Sequence, residues 1–308
     1  MKKIVLFLMG ILPVVLMAQQ LPQAGQITAT NFIWNPAMTA PMNYWEVGAF
    51  HRQQWMGFND APRTTGVGFQ SPIADQNMSI GGFIQHDQIH PLHSNAISFT
   101  YAYKLRFNRE HQLSIGALVS LSEYHFNRDN VTVNDGTDLL IPTDATTSMS
   151  PNAGLGLYYQ SYAGSDFEKT YYYAGIGTNQ LLPASQFFEG DEVLINFKRA
   201  IHGNAVFGAR IIKDNFALEP SVWFNYANPK LVNTNVRLHT EYYRTFWAGA
   251  SFATSGTATF QAGVMLKNGI LKDGLLRVGM IATYNLGTLG VYQGTGYEAY
   301  IAYRFERD

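Results

Sequence analysis

The sequence predicts an all-β protein: a single transmembrane antiparallel β-barrel of about 14 strands that follows a cleaved signal peptide. Three observations support this fold class. Most of the chain alternates apolar with polar or small residues over segments of about ten residues. Only 14% of its 308 residues are charged, it is rich in aromatic residues and Gly, and it has no Cys. Its N-terminus has the layout of a secretory signal.

The signal peptide is predicted from the order of residue types. Lys2 and Lys3 precede a short apolar run, Ile4–Met17, and the small residue Ala18 is followed by a polar stretch. The apolar run is shorter than the roughly 20 residues that a membrane-spanning helix needs. We therefore expect cleavage after Ala18, which removes residues 1–18.

The next segment, residues 19–42, lacks a clear hydrophobic period. Pro22, Pro36 and Pro41 interrupt it, and Pro lacks the backbone donor that helices and sheets use. We expect a periplasmic arm, or a plug lying in the barrel mouth, ahead of one barrel domain at residues 43–308.

Alternation is clearest near the first third of the chain. Ile97, Phe99 and Tyr101 fall on one face of an extended segment, and Ser98 and Thr100 fall on the other. Strands of a soluble sandwich also alternate, but they are typically only about five or six residues long. The predicted strands cover residues 43–54, 64–71, 77–87, 94–106, 112–126, 152–161, 170–180, 199–212, 215–227, 231–241, 243–254, 258–267, 274–285 and 296–305.

The connections support an even number of strands, which places both termini in the periplasm. The connections predicted to be periplasmic are short and charged: Arg109-Glu110, Ser165–Lys169, Lys213-Asp214-Asn215 and Asn268–Asp273. The predicted external connections include the two longest, Asn127–Pro151 and Leu181–Phe197. Outer-membrane barrels have short turns at one rim and long loops at the other.

The alternation also predicts which charged residues face the lumen. The inward positive residues are Arg52, Lys104, Arg210, Arg237, Lys267, Arg277 and Arg304, and the inward negative residues are Glu46, Glu219, Glu241 and Glu298. A Lys or Arg facing lipid would cost about 2–4 kcal/mol at the membrane midplane. Both signs of charge favour a filled interior over a wide channel. The residues could be structural salt bridges that close the barrel, or they could form a polar path or a docking surface for an inserted segment.

The stretch from His51 to Thr64 joins the first two predicted strands and is the candidate partner-binding site. Its candidate residues are Arg52, Gln54, Trp55, Gly57, Phe58, Ala61, Pro62 and Thr64. We expect Trp55 and Phe58 to pack around Gly57 and over Pro62 as a small aromatic core. The stretch could be only a packed turn, or it could be a structured cap that a partner docks against.

The same residues resemble the signature of the PorP/SprF-like outer-membrane proteins of the type IX secretion system. That family usually has Gly where this chain has Asp60. Asn35-Pro36-Ala37 resembles an early Asn-Pro-Ala element, although Met38 and Ala40 replace an aromatic residue and a Gly. The other similar blocks are Tyr101–Leu105, Gly154–Tyr159 and Glu298–Phe305.

The resemblance implies a non-enzymatic outer-membrane component of the type IX secretion or gliding machinery. Its implied partners are components of that machinery, a secreted cell-surface protein with a C-terminal sorting domain, and outer-membrane lipid. The alternative is a passive transport barrel for a hydrophobic or small solute. The formal net charge of −1 gives no reason to expect a nucleic-acid partner.

Signals of enzymatic or metal chemistry are weak. Gly294–Ala299 fits a dinucleotide fingerprint by spacing, but it precedes a strand instead of a helix. Two groups of side chains could bind metal ions, though exposed polar loops explain both more simply. These groups are His86, Asp87, His90 and His93, and then Asp135, Asp138 and Asp144. We expect no enzyme, no cofactor and no metal.

Overall fold

The computed structural model of the protein describes eleven segments of the chain. They are residues 27–42, 44–73, 77–127, 145–146, 149–164, 168–182, 185–189, 194–228, 231–267, 274–287 and 290–305. The predicted signal peptide lies outside these ranges, as do Asp135, Asp138 and Asp144 and most of the predicted loop Asn127–Pro151.

Strands dominate the described residues, and helices are short. The helical elements are α1 (Ile27–Trp34), a 3-10 turn (Pro36–Met38) and α2 (Gly290–Gln293). The strands are β1 (Trp45–Gln53), β2 (Arg63–Ile73), β3 (Met78–Ile89), β4 (Leu92–Arg106), β5 (His111–Phe126), β6 (Ala145–Thr146), β7 (Ser150–Gly164), β8 (Glu168–Gln180), β9 (Ser185–Glu189), β10 (Leu194–Lys198), β11 (His202–Lys213), β12 (Phe216–Asn228), β13 (Leu231–Tyr242), β14 (Phe246–Ala253), β15 (Thr257–Lys267), β16 (Gly274–Asn285) and β17 (Thr295–Phe305). Among the residues described here, no helix has the length and apolar character needed to cross a bilayer.

Fourteen of these strands form one closed antiparallel ring. Neighbours in sequence pair with each other, β1 pairs with β17, and β4 pairs with β5, so the sheet has no free edge. β6 pairs only with the end of β5, and β9 and β10 form a separate hairpin. The predicted antiparallel barrel and its strand number are therefore confirmed.

The predicted strand at residues 243–254 is shorter than expected, for a local reason. The segment 243–254 begins only at Phe246, because Tyr243 and Arg244 adopt φ values of 50° and 49°. This left-handed conformation reverses the chain within a few residues and ends the ladder. The tight turn therefore takes three residues from the predicted strand.

The ring has two rims that differ in the length of their connections. The terminal rim holds the start of β1 and the end of β17, where Trp45 lies opposite Phe305. The opposite end is called the far rim below. It carries the four longest connections, residues 54–62, 127–149, 181–201 and 286–294. By the usual layout of such barrels, the terminal rim is expected to be periplasmic.

Side chains alternate between the outer surface and the interior. On β4, Phe99 is 53% exposed while its neighbour Thr100 is 5% exposed, and Lys104 is fully buried. The exposed positions of the strands carry mainly Val, Ile, Leu, Phe and Tyr. This apolar outer surface matches a lipid environment, and the polar side chains face inward.

Residues 27–42 lie inside the ring of strands. The Trp34 carbonyl accepts a hydrogen bond of 2.7 Å from Asn204 on β11. The backbone N–H of Ala40 donates a bond of the same length to Gln70 on β2. The segment, called the inner arm below, therefore crosses the lumen from one wall to another.

Candidate functional site

The loop between β1 and β2 is tied to the loop between β16 and β17 at the far rim. Met56 N donates to Thr295 O at 3.0 Å, and Gly57 N donates to Gln293 O at 2.9 Å. A Cβ added to Gly57 would lie 2.3 Å from the carbonyl oxygen of Tyr292, so only Gly permits this approach. The backbone of each loop therefore holds the other in place.

The aromatic side chains of this loop are exposed. Trp55 is 41% exposed, Phe58 is 49% exposed and Met56 is 50% exposed, and Tyr292 beside them is 71% exposed. The prediction of a small aromatic core around Gly57 is wrong, because Gly57 packs on the backbone of the facing loop instead. We call these four side chains the far-rim patch.

The turn that ends the loop is well anchored. Asp60 adopts a φ of 56°, the left-handed conformation in which Asp is one of the few tolerated residues other than Gly. Ala61 is buried, and the Pro62 carbonyl accepts a hydrogen bond from Gln54 N at 2.9 Å. Asp60 therefore occupies a left-handed turn position of the kind that Gly adopts most readily.

Arg52 lies inside the barrel just below this loop. On β1 it stands opposite Glu298 of β17 and Thr64 of β2. Thr64 is buried and donates a 2.6 Å hydrogen bond to Asp87 of β3, which also faces inward. Among the described residues, Nη1 of Arg52 is buried and has no hydrogen-bond partner. Arg52 is therefore a buried cationic donor near the far rim, with one N–H group that has no acceptor among the described residues.

Asn35 attaches the inner arm to the barrel wall. Its Nδ2 donates to the carbonyl oxygens of Leu157 on β7 and Ile176 on β8, each at 3.1 Å. Its Oδ1 accepts a 3.0 Å bond from Ala37 N and so caps the 3-10 turn. The side chain is completely buried, so these bonds are shielded from water.

Glycines on three strands make room for the Asn-Pro-Ala turn. A Cβ added to Gly156 would lie 1.9 Å from Asn35 Oδ1, and one added to Gly116 would lie 2.2 Å from Ala37 N. Gly177 of β8 makes a similar close approach to Asn35. We call this wall surface the glycine cradle, and it admits the turn only because these positions have no side chain.

The end of the inner arm is bound by polar wall residues. Lys104 Nζ donates to the carbonyl oxygen of Ala40, and Thr39 donates a 2.9 Å bond to Thr100 of β4. Ala40 adopts a φ of 41°, in the region that Gly occupies most readily. Lys104 therefore binds the inner arm, although the sequence placed it only in a lumen charge network.

Inside the barrel, Glu241 joins two arginines. It accepts hydrogen bonds from Arg210 at 2.6 Å and from Arg277 at 2.8 Å. Arg210 also pairs with Glu219 at 3.1 Å, and Glu219 accepts a 2.9 Å bond from Tyr173. These residues come from β8, β11, β12, β13 and β16, so one network links five strands across the interior.

A second ion pair closes the ring where its first and last strands meet. Glu46 of β1 accepts hydrogen bonds from both Nε and Nη2 of Arg304 on β17, at 2.9 and 2.7 Å. Gln70 donates to the other oxygen of Glu46 at 3.0 Å. The guanidinium of Arg304 also lies 3.8 Å from the ring centre of Tyr44.

The remaining predicted lumen charges have different environments. Arg237 and Glu298 are buried inside the barrel. Lys267, at the terminal-rim end of β15, is exposed, so the structure does not place it in the buried network. Lys267 has the inward parity of its strand, but it is the last residue of β15, where the barrel wall no longer encloses an inward side chain.

The predicted metal group is divided by the sheet. Asp87 faces inward, whereas His86 and His93 face outward on β3 and β4. Within the described ranges, no group of three or more His, Cys, Asp or Glu side chains is arranged to hold a metal ion. Gly294 follows the four-residue α2 and leads into β17, so the dinucleotide spacing here belongs to a loop and a strand.

Sequence reasoning missed several interior residues. The glycine cradle was not predicted, because its residues are separated in sequence and meet only in the folded wall. Gln70, Tyr173 and His239 were also missed, although inward parity on their strands was a signal that could have found them.

A closed fourteen-stranded ring with an apolar outer surface and a polar interior defines an outer-membrane β-barrel. Solved outer-membrane barrels share this fold. The chain is similar to the Pseudomonas putida toluene transporter TodX, with a TM-score of 0.52 at 8% identity over 91% of this chain and 94% of that one. It is also similar to the CymD monoaromatic hydrocarbon channel, with a TM-score of 0.51 at 11% identity over 93% and 95% of the two chains. At such identities the likeness concerns the fold alone.

The chain belongs to the PorP/SprF family of type IX secretion system membrane proteins, whose profile matches residues 16–303. A comparison with curated proteins finds no match. The protein is therefore an outer-membrane barrel of the type IX secretion system, and its partners as a class are components of that machinery. The family is one of type IX secretion system membrane proteins, and the fold is that of outer-membrane barrels.

Proposed function

We propose that this barrel binds or anchors a secreted surface protein at its far rim, through the C-terminal sorting domain of that protein. The terminal rim would link the complex to periplasmic components of the same machinery. The observation that carries this proposal is the far-rim patch, where four large apolar side chains are exposed on two loops that backbone hydrogen bonds join.

The patch has the physical properties of a protein-binding surface. Large exposed aromatic side chains dominate many interfaces, and removing one such anchor commonly costs about 2 kcal/mol or more of binding free energy. The hydrogen bonds from Met56 and Gly57 to the facing loop fix the backbone in advance. A partner would therefore lose little binding energy to loop ordering.

Arg52 adds a polar contact next to the apolar patch. It precedes Trp55 by three residues, and its buried Nη1 lacks a partner among the described residues. A carboxylate or backbone carbonyl of an inserted partner segment would satisfy that donor with a directional hydrogen bond. Apolar anchoring by the patch and polar recognition by Arg52 would then act on one partner segment.

The alternative, a passive transport barrel, is supported by the fold of the hydrocarbon channel and the toluene transporter. The interior argues against it. The inner arm crosses the lumen, and the Glu241 network joins side chains of five strands inside it. Conductance of the purified barrel in planar bilayers separates the two functions, because a filled barrel should pass little current and a transport barrel should pass solute freely.

The test of the proposal is partner retention by tagged barrels isolated from outer membranes. Trp55→Ala, Phe58→Ala and Arg52→Ala should each reduce the amount of co-purified surface protein by about tenfold or more, as the loss of an interface anchor implies. Phe107→Ala is the matched control, because Phe107 is 67% exposed at the terminal rim. It should retain the surface protein at the wild-type level.

The level of folded barrel must be measured in the same samples. If the loop is only a packed turn, Trp55→Ala should lower folded protein and partner retention together. If the loop is a docking surface, folded protein should stay constant while retention falls. Normal retention by all three variants at normal barrel levels would contradict the proposal.

A further inference from the structure

The outer face of β1 to β5 carries two polar rows next to the far rim. Strand register places opposite one another the residues of the first row, Gln53, Arg63, Gln88, His93 and His125. The second row is His51, Thr65, His86, Asn95 and Glu123. The row below it is entirely apolar: Ala49, Val67, Ile84, Ile97 and Leu121. The change from polar to apolar is therefore abrupt.

The polar rows lie where the lipid-facing band ends. Outward positions on β4 are apolar from Ile97 to Leu105, which is a span of eight residue steps. At about 3.4 Å per step and a tilt of about 40°, this span rises about 21 Å, close to the height of roughly 25 Å of the apolar band of such barrels. His93 and Asn95 come directly after it. They therefore stand at the level of the lipid headgroups.

Three histidines of these two rows form a contiguous group: His93 and His125 from the first row and His86 from the second. This group of three is called the histidine row below. The ring centres of His86 and His93 are 6.1 Å apart, and those of His93 and His125 are 6.4 Å apart. A 2.7 Å hydrogen bond joins Nδ1 of His86 to the side-chain oxygen of Asn95. This bond holds the His86 ring against β4. Such a row can present several ring nitrogens to one ligand.

We infer that the histidine row binds the phosphate group of membrane lipid headgroups, and that acidification strengthens this binding. Because the histidine row lies at the level of the headgroups, the phosphate that it binds belongs to a membrane lipid. Imidazole changes its charge between about pH 5 and 8. Protonated rings that lie this close repel each other. A phosphate between them relieves that repulsion and accepts hydrogen bonds from their N–H groups.

The charges around the histidine row determine whether phosphate binding strengthens or weakens as pH falls. Arg63 on β2 and Glu123 on β5 face the same outer surface and oppose each other in charge. The other titratable neighbours are His51 on β1 and His90 in the turn between β3 and β4. With neutral imidazoles the surface has little net charge. Protonation adds only positive charge, so attraction to an anionic headgroup rises as pH falls.

The test is lipid retention by the purified barrel in mild detergent, counted by native mass spectrometry. The probe is phosphatidylglycerol, whose phosphodiester keeps one negative charge, with phosphatidylcholine as the zwitterionic reference. The ratio of the two retained lipids should rise about threefold or more between about pH 7.5 and about pH 5.5. The rise should vanish in the triple variant His86→Gln, His93→Gln, His125→Gln.

Two further variants keep the test decisive. His111→Gln is the matched control, because His111 lies at the opposite end of β5 and bonds Tyr159 at 2.6 Å. It should behave as the wild type. If the triple variant fails to assemble, His93→Gln alone should reduce the rise, because it removes the ring that contacts both of the others. An unchanged rise in these variants, or no preference for phosphatidylglycerol, would overturn the inference.

Discussion

Replacing Gly156 with Ala should loosen the inner arm from the barrel wall. The new methyl carbon would lie 1.9 Å from Oδ1 of Asn35, a completely buried side chain. Asn35 cannot move aside without losing its bonds to the carbonyl oxygens of Leu157 and Ile176. The substitution therefore forces a choice between a steric clash and two broken hydrogen bonds.

Both outcomes have a similar cost. Overpacking in a closed interior typically costs about 1–3 kcal/mol, and two buried hydrogen bonds contribute about 1 kcal/mol each. A weakening of about 2 kcal/mol corresponds to a roughly 30-fold higher fraction of undocked arm. The barrel ladder itself should remain, because Gly156 keeps its pairing partners on β5 and β8.

Thiol labelling can measure this fraction, because the chain contains no Cys of its own. Thr30 lies in α1 of the inner arm and is 6% exposed, so Thr30→Cys introduces one protected thiol. In that background Gly156→Ala should raise the rate of maleimide labelling roughly 30-fold. Gly203→Ala is the control, because its Cβ would meet only Gly177 O, at 3.9 Å.

A double-mutant cycle identifies the cause. Asn35→Ala removes the atom that the new methyl group meets, so Gly156→Ala should add much less to the labelling rate in that background. Equal labelling of Gly156→Ala and its parent, or effects that simply multiply in the double variant, would refute the role of the glycine cradle.

Three further predictions follow from the barrel. Ala117→Arg places a charge on the lipid-facing side of β5, so it should destabilise the barrel by about 2–4 kcal/mol or prevent its assembly. Ser120→Arg faces inward and should have a milder effect. Heat-modifiable gel mobility measures the folded fraction of both variants, and equal effects would contradict the register. Glu241→Gln leaves Arg210 and Arg277 without their shared carboxylate and should lower the free energy of unfolding in urea by about 3–5 kcal/mol. Glu219→Gln should lower it less, because in that variant Arg210 keeps its bond to Glu241. The reverse order would contradict the network. Protease added to intact cells should cut within residues 127–151 before the turn at Lys213-Asp214-Asn215; cleavage confined to ruptured cells would reverse the orientation.

The strands could be predicted because their signal is long and regular. β4 alternates regularly from Ile97 to Leu105, and a period of two over that length leaves few alternatives to a membrane strand. The turn at Tyr243 and Arg244 was missed because left-handed φ values leave little trace in residues other than Gly, Asn and Asp. Hydrophobic pattern therefore predicts the strands better than the ends of the strands.

For the interior, alternation along each strand predicts which side chains face inward, but it does not predict which of them come into contact. Alternation assigns Glu241 and Arg277 to the inner face, but it cannot say that they meet, because strand pairing and barrel closure decide which inward side chains come together. The course of the inner arm had no period to reveal it. Its position depends on Gly116 and Gly156, whose wall surface exists only after β5 and β7 pair.

The far-rim loop shows the limit for the candidate site. Its sequence identified an aromatic segment, but it did not reveal that Trp55 and Phe58 are exposed. Gly57 packs on the carbonyl oxygen of Tyr292, which is far away in sequence. The exposure of a side chain in such a loop depends on the neighbouring loop, and no local pattern encodes it.

Photo-crosslinking from the far-rim patch in intact cells tests the central proposal most directly. A photoreactive amino acid in place of Phe58, which is 49% exposed, should crosslink a secreted surface protein with a C-terminal sorting domain. The same amino acid in place of Phe107 at the terminal rim should crosslink periplasmic components or none. Crosslinking of the surface protein from position 107 and not from position 58 would contradict the account.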